Sequence, residues 1–557
     1  MGGKARGLAF MDKIISTYMP EYLLPQIKIT IPRTIVLCSD IFDDFLEENN
    51  LLEEDIHVLS DERIAIKFMG ADLPATVLGD LRSFIRETKV PLVVRSSSLL
   101  EDALHHPFAG VYASLLLPNE SWETDIRFQE LCTAIKYVFS SVFFQKARTY
   151  MSTIQNTSQD EKMAVIIEEL IGQKHGNIYY PTISGVAKSY DYYPTGSCKS
   201  TDGVVNVALG LGKAVVEGEN SYRFCPLHPK TPKHGALKDL LAQSQKEFFA
   251  VDLTTYTNIV KLDEDSTIKK YSIAKAEPHG NLVHTASTYN QRDDRIYPGI
   301  EREGPRVIDF APILQLNTVP LPTAIRLLLR ISEISLGTPV EIEFAMNIPE
   351  EHNKISELYL LQVRSMLSNE NDKEIDIGEH APETIIAYTD IVLGNGVIDN
   401  IRDIIYVKKQ NYDLSQNQKI VPQVRKMNQK MIQNKTPYIL IGPGRWGSTD
   451  PWLGIPVTWS DIAGAKSIIE TPVEERIIDP SQGSHFFHNM IAANASYFTI
   501  TPTNKGTIDW EYLDNIEAVE ETENMRHIQL HAPAEIRIDG NNGEGVILKP
   551  HNETERR

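Results

Sequence analysis

Cysteine is scarce in this chain and what there is lies scattered. Four occur in 557 residues, Cys38, Cys132, Cys198 and Cys225, with no CxxC pair and no Cys/His zinc spacing. That excludes a disulfide framework and a zinc ribbon and fits a reduced, cytoplasmic protein. Long apolar runs are absent as well: none approaches the roughly 18 to 20 residues needed to cross a bilayer, and the N-terminus has no signal-peptide core. Positive charge is in deficit, with 55 Lys and Arg against 75 Asp and Glu and a net charge of −20. A broad surface for nucleic acid or anionic membrane is excluded. Any anionic ligand must then be held by a local cluster of Lys, Arg and backbone N–H groups. Internal repeats and low-complexity tracts are also missing. What remains is ordinary globular composition, 42% apolar and 23% charged, in a chain long enough for about three or four domains.

The pattern mixes strands and helices without a strict βαβ rhythm, which predicts an α+β or α/β multidomain fold with large antiparallel sheets. "MGGKARGLAFMDKIIS" sets a Gly-Gly-Lys turn before a helix. "KITIPRTIVLCS" reads as a strand broken by proline, with Ser39 and Asp40 capping the helix after it. "VPLVVRSSS" reads as a buried strand running into a polar loop, and "TAIRLLLRISEISLG" as an amphipathic helix stopped by Gly337. From 367 to 384 the chain turns acidic and polar and reads as a linker, followed by a helical connector in "VPQVRKMNQKMIQN". The expected division is therefore 1–366, a linker and connector over 367–437, and a β-rich domain over 438–557.

Three segments of the first domain carry chemistry. Gly2 and Gly3 permit close backbone approach, Lys4 supplies a point charge, and a helix N-terminus behind them favours anions. The spacing is not that of a P-loop. Arg95 closes an apolar strand and is followed by three serines, a donor set that suits phosphate oxygens. The alternative is an Arg paired with Glu101 or Asp102. The strands "PVEIEFAMN" and "ELYLLQVRSM", joined as a hairpin, would bring Glu343 near Gln362 and Arg364. Glu343 and Gln362 could give Mg²⁺ one or two protein oxygens, and Arg364 could neutralise phosphoryl charge. A plain Glu–Arg cross-strand pair is the alternative there.

In order, "GGKARGLA", "IPRTIVLCSDIFDDFL", "VVRSSSLLED", "FAGVYASLL", "AVIIEELI", "SGVA", "GLGKAVVEG", "IEFAMN" and "LYLLQVR" resemble the nucleotide-binding half of the phosphoenolpyruvate synthase and pyruvate phosphate dikinase family. The resemblance covers roughly residues 1 to 366 and implies an ATP-grasp-like fold. It implies that Lys4 and Arg95 contact ATP phosphates, that Glu343 and Gln362 bind Mg²⁺, and that Arg364 lies on the phosphates. It also implies that the backbone from Glu168 to Leu170 borders the adenine. Two positions depart from the family: Glu168 stands where Gln is usual, and Lys213 where Glu is usual. The chain also begins at the glycine turn, without the short strand expected before it.

More distantly, "IIDPSQGSHFFHNMIAANASYFTI" and the closing "PAEIRIDGNNGEGVILKP" resemble the swivelling phosphohistidine domain of the same family, a small β/β/α-type domain. His485 follows a Gly-Ser turn and would be the phosphorylated residue, since neutral imidazole is nucleophilic near pH 7. Gln482 replaces an expected Gly, and His488 is a rival. A capping or hydrogen-bonded His is the alternative. "GPGRWG" reads as a tight structural turn or, alternatively, a phosphate-facing one. About seventy residues follow His485, against roughly 250 for a (β/α)₈ barrel, so the pyruvate-binding barrel is not expected within this chain.

Together these features predict an ATP- and Mg²⁺-dependent phosphotransferase that passes a phosphoryl group through His485 to an unknown acceptor. A nucleotide-binding sensor without transfer is the second expectation, and one subunit of a multi-chain enzyme with a separate acceptor-domain protein is the third.

Overall fold

The structure is a computed structural model. It describes the chain apart from residues 20–22, 53–55, 99–100, 102–109, 154–160, 195–197, 232–236, 256–263, 350–353, 367–374, 410–411, 449–452, 474–485, 487–488, 492, 503, 541 and 551–557. The fold is mixed α/β and divides into two compact units, one of residues 1–216 and 220–366 and one of 217–219 and 367–557.

The first unit is built on a six-stranded sheet in the order β1 (Ile27–Thr30), β17 (Ser356–Ser365), β16 (Val340–Asn347), β8 (Ile183–Lys188), β9 (Val204–Ala208) and β10 (Tyr222–Phe224). A four-stranded sheet follows the order β2 (Thr34–Leu37), β5 (Met163–Glu169), β3 (Leu92–Ser98) and β4 (Ser114–Leu117). Two smaller sheets complete it: β12 (Ile268–Ser272), β11 (Glu247–Asp252), β7 (Ile178–Tyr180), β6 (Gln173–His175); and β14 (Arg295–Pro298), β13 (Ala286–Asn290), β15 (Arg306–Ile308). Pro32 lies between β1 and β2, and the chain changes sheets there. Proline cannot donate to a ladder, so a sheet change is the natural place for it.

Helix α1 (Gly3–Tyr18) starts at the glycine turn and buries Ala5, Leu8, Met11 and Ile15, an i, i+3, i+6, i+10 stripe on one face. The helix Leu321–Leu336 ends where expected, with Gly337 left-handed at φ 71°. The helix Ser39–Glu48 differs in detail. Cys38 holds the cap position, while Ser39 and Asp40 are already inside the first turn.

β16 and β17 form an antiparallel hairpin in which Ile342 faces Val363, Phe344 faces Leu360 and Met346 faces Leu358. All six are core residues. Between Glu343/Gln362 and Phe344/Leu360 the register shifts, leaving Leu361 as an extra residue on β17. Strict alternation along "LYLLQVR" would put Leu361 and Val363 on one apolar face; the bulge resets the phase, so Leu360 and Val363 both face the core instead.

The second unit has a ten-stranded mixed sheet. Its order is β19 (Val392–Leu393), β25 (Ser496–Thr499), β24 (Ala465–Thr471), β21 (Tyr438–Pro443), β20 (Gly396–Val407), β28 (Met525–Asp539), β29 (Glu544–Leu548), β18 (Ile385–Thr389) and β26 (Thr507–Ile508), with β27 (Ala518–Glu521) also on β28. β20, β21, β24 and β25 run parallel to one another. A two-stranded ribbon of β22 (Arg445–Trp446) and β23 (Gly454–Ile455) accompanies them. The stretch expected to be linker and connector thus contributes β18, β19 and the central β20. Its helix, Asn417–Gln433, buries Ile420, Val424, Met427 and Met431. The physical reason is plain in "DIIYV", residues 403–407, which are all buried in the sheet. Among the described residues no helix is long and apolar enough to cross a membrane.

Candidate functional site

The glycine turn meets strand β3 first. A Cβ on Gly2 would lie 1.6 Å from the Ser97 carbonyl oxygen, so only glycine lets the start of α1 rest on that backbone. The close approach expected toward a ligand is, at Gly2, made to β3. Gly2 has no side chain to cap the helix, and the Ala5 N–H donates instead to Ser97 Oγ at 3.1 Å. A donor orphaned at the helix start is thus satisfied from another element.

The other two serines are equally occupied. Ser96 Oγ donates to Glu101 Oε1 at 2.8 Å, and Ser98 Oγ accepts the Glu101 N–H at 3.1 Å. The three hydroxyls expected in a loop on phosphate are corrected to strand residues, all buried and held within the fold. Glu101, 2% exposed, also binds Lys4 Nζ at 2.7 Å. Its partner is therefore Lys4, not Arg95, and Asp102 lies outside the described residues.

Arg95 turns to the hairpin. Its Nη1 donates to Glu168 Oε1 at 3.2 Å and its Nη2 to Gln362 Oε1 at 2.7 Å. Nη2 also stands 3.5 Å from the carbonyl of the bulged Leu361. Gln362 is the direct cross-strand partner of Glu343. Lys4, Arg95, Glu168, Glu343 and Gln362 therefore converge, from five elements spread over more than three hundred residues. Glu168 is buried, and burial pushes its carboxyl above the usual range, with Arg95 and Lys4 opposing and Glu343 reinforcing the rise. Its Oε2 is buried without a hydrogen-bond partner.

That orphaned oxygen beside a second carboxylate is the environment of a hard cation. Glu343 and Gln362 are the residues that would offer oxygens to such an ion, within the one or two protein ligands typical of Mg²⁺ when phosphate and water complete the octahedron, Gln362 Oε1 first giving up its bond from Arg95. Among the described residues no group of three or more His, Cys, Asp or Glu side chains is gathered as a metal site. The donor set fits an ion shared with a ligand better than a closed protein cage.

Arg364 lies on the same face, 4% exposed, with its Nε on Glu341 Oε1 at 2.9 Å. Glu341 also holds Lys188 at 3.1 Å. The cross-strand alternative is thus realised, but as a buried triad with two cations on one carboxylate. Such a group is strongly desolvated and depends on every member being paired.

At the expected adenine border the backbone of Leu170 is engaged. Its N–H donates to the Pro91 carbonyl at 2.8 Å, and its carbonyl accepts the Tyr179 hydroxyl at 3.1 Å. Glu168 directs its side chain to Arg95. Lys213, the reversed charge, pairs with Asp265 at 2.7 Å. His485 and His488 lie outside the described residues.

Sequence reasoning missed Glu101 as the anchor of Lys4, and Lys188 altogether. The only signals were a carboxylate six residues after Arg95 and a lysine ending the buried run of β8. No curated protein matches this chain. The family model described as pyruvate phosphate dikinase, AMP/ATP-binding domain, matches residues 1–384. With that match covering the first unit and the residues it brings together, the chain belongs to the pyruvate phosphate dikinase AMP/ATP-binding family, a family of ATP-dependent phosphotransferases.

Proposed function

We propose that the chain is an ATP- and Mg²⁺-dependent phosphotransferase whose first unit is an ATP-grasp-like module. The observation that carries this reading is the convergence of Lys4, Arg95, Glu343 and Gln362. In it Lys4 and Arg95 hold the phosphates, and Glu343 and Gln362 hold Mg²⁺, which when bound neutralises phosphate charge. Glu101 and Glu168 keep the two cations aimed while the site is without ligand. Arg364 also turns to the phosphates. Glu341 stays paired through Lys188 when it releases Arg364, so the exchange leaves no buried charge alone. The strand end at Glu168 to Leu170 borders the base. The imidazole of His485 takes the β-phosphoryl group of ATP, with AMP leaving and the γ-phosphoryl group passing to water as inorganic phosphate, and then hands its phosphoryl group to a separate acceptor, the second unit of 367–557 acting as the swivelling domain.

The test is incubation of the full chain with Mg²⁺ and ATP labelled at the β-phosphate. Acid-labile label on the protein that is lost in His485→Ala is the expected outcome. Label that persists in His485→Ala would remove the histidine from the pathway.

One observation favours a second reading, a nucleotide sensor without transfer. Both phosphate-binding cations already have carboxylate partners, Lys4 on Glu101 and Arg95 on Glu168. ATP binding with no label and no AMP would decide for the sensor.

A further inference from the structure

The family match ends at residue 384, and the second unit carries a cavity that the match does not reach. It measures about 970 Å³ and opens where the parallel strands end: Val407 closes β20, Pro443 β21, Thr471 β24, and Ile500 follows β25. Parallel sheets place ligands outside the carboxyl ends of their strands, because loop residues and free backbone groups gather there. The volume is that of a small-molecule site.

Its lining is of two kinds. Trp510, Tyr412, Val473 and Ile508 give flat and apolar walls. At the strand ends a separate cleft of about 10 Å³, room for a single water, also touches Thr471 and Ile500 and is lined by Thr499. The Thr499 hydroxyl is buried without a partner, and the residue is 2% exposed. An unsatisfied hydroxyl beside so small a cleft is one that a single bound water would satisfy.

At the rim stand Lys408 and Lys409. Lys408 is tied to Glu521 at 3.1 Å and to the Thr522 carbonyl at 2.7 Å. Lys409 Nζ lies 4.6 Å from the centre of the Trp510 ring and has no carboxylate within ion-pair distance among the described residues. The one acidic residue among the described lining residues, Asp413, is committed as a cap, accepting the Ser415 N–H at 2.8 Å.

We propose that this cavity is a second ligand site, for a small organic acid with a flat or apolar body and one carboxylate or phosphate group. The body lies against Trp510 and Tyr412, and the anionic group meets Lys409 at the rim. The site is independent of ATP, so its failure would leave the nucleotide reading untouched.

Titration calorimetry of the full chain with benzoate, phenyl phosphate and uncharged benzyl alcohol tests it. At least one of the two acids is expected to saturate one site at millimolar concentration or below, and to bind more tightly than benzyl alcohol. Preference for benzoate or for phenyl phosphate tells a carboxylate ligand from a phosphate one. Lys409→Met weakens that acid by about threefold or more, as loss of a partly exposed charge contact should. Thr507→Trp, which places a large ring on an exposed lining residue, abolishes it. In both variants ATP binding and the melting temperature stay at the parent value, which shows the chain is folded. No saturable binding of either acid overturns the proposal. So does benzyl alcohol binding as tightly as the acids, or acid binding unaltered in both variants.

Discussion

Asp309 shows how a single buried carboxyl couples this fold to pH. It is 5% exposed, accepts Ser287 Oγ at 2.8 Å and the Ala311 N–H at 3.0 Å, and burial pushes it up to about 6. An acid whose folded value is raised binds its proton more tightly in the native state. Its contribution is therefore favourable at low pH and is lost as pH rises from the unfolded value of about 3.8 through about 6. Asp309→Asn keeps both accepted bonds and removes the charge. It should raise stability at pH 7 by on the order of 1 to 3 kcal/mol and leave stability at pH 4 nearly unaltered. Chemical denaturation of both proteins across that range measures it, and an equal effect at the two pH values would sink the explanation. Glu168, raised by burial in the same sense, differs in having Arg95 against it.

At the scale of elements, the hairpin of β16 and β17 was legible in advance, because "VEIEFAMN" alternates cleanly and puts Glu341 and Glu343 on one face. The hairpin reading brought Glu343 near Gln362 and Arg364, and the register makes Gln362 its direct partner. The bulge was not legible: Leu361 is apolar like its neighbours, and only the partner strand decides which residue is extra. Nor was the Lys4–Glu101 pair, which joins residues ninety-seven apart. Leu361 sets up a test. Deleting it restores an unbroken alternation in which Leu360 and Val363 still face the core, so the fold should survive with its melting temperature little altered. The carbonyl beside Arg95 disappears and Gln362 moves with the local twist, so ATP affinity should fall by about tenfold, roughly the 1.4 kcal/mol of one charge-assisted hydrogen bond. Equal affinity in the two proteins would mean that the bulge serves only the core.

On the scale of the molecule, the second unit begins before 438. β20 lies between β21 and β28, and its residues Ile401, Ile404 and Tyr406 belong to the unit's core. A fragment of 367–557 should fold cooperatively, with a single denaturation transition. A fragment of 438–557 lacks β18, β19 and β20, leaves β21 and β28 without their shared neighbour, and should be unfolded by circular dichroism. The acidic, polar stretch 367–384 was visible as a composition change. What the sequence did not declare was that the strands after it pair with strands more than a hundred residues later, since pairing partners leave no local mark.

The pairing of β1 with β17 has a consequence for synthesis. Residues 27–30 find their ladder partner only at 356–359, and α1 packs where β3 and the late hairpin meet. At about 5 to 20 residues per second, the earliest strand of a nascent chain waits on the order of tens of seconds for its neighbour. A ribosome that stops before the hairpin releases a polypeptide with Lys4 and Arg95 but no Glu343 or Gln362. Such a product has an unpaired sheet edge and no half-working site, so premature termination anywhere in the first unit should mark the chain for degradation and leave no competitor for nucleotide.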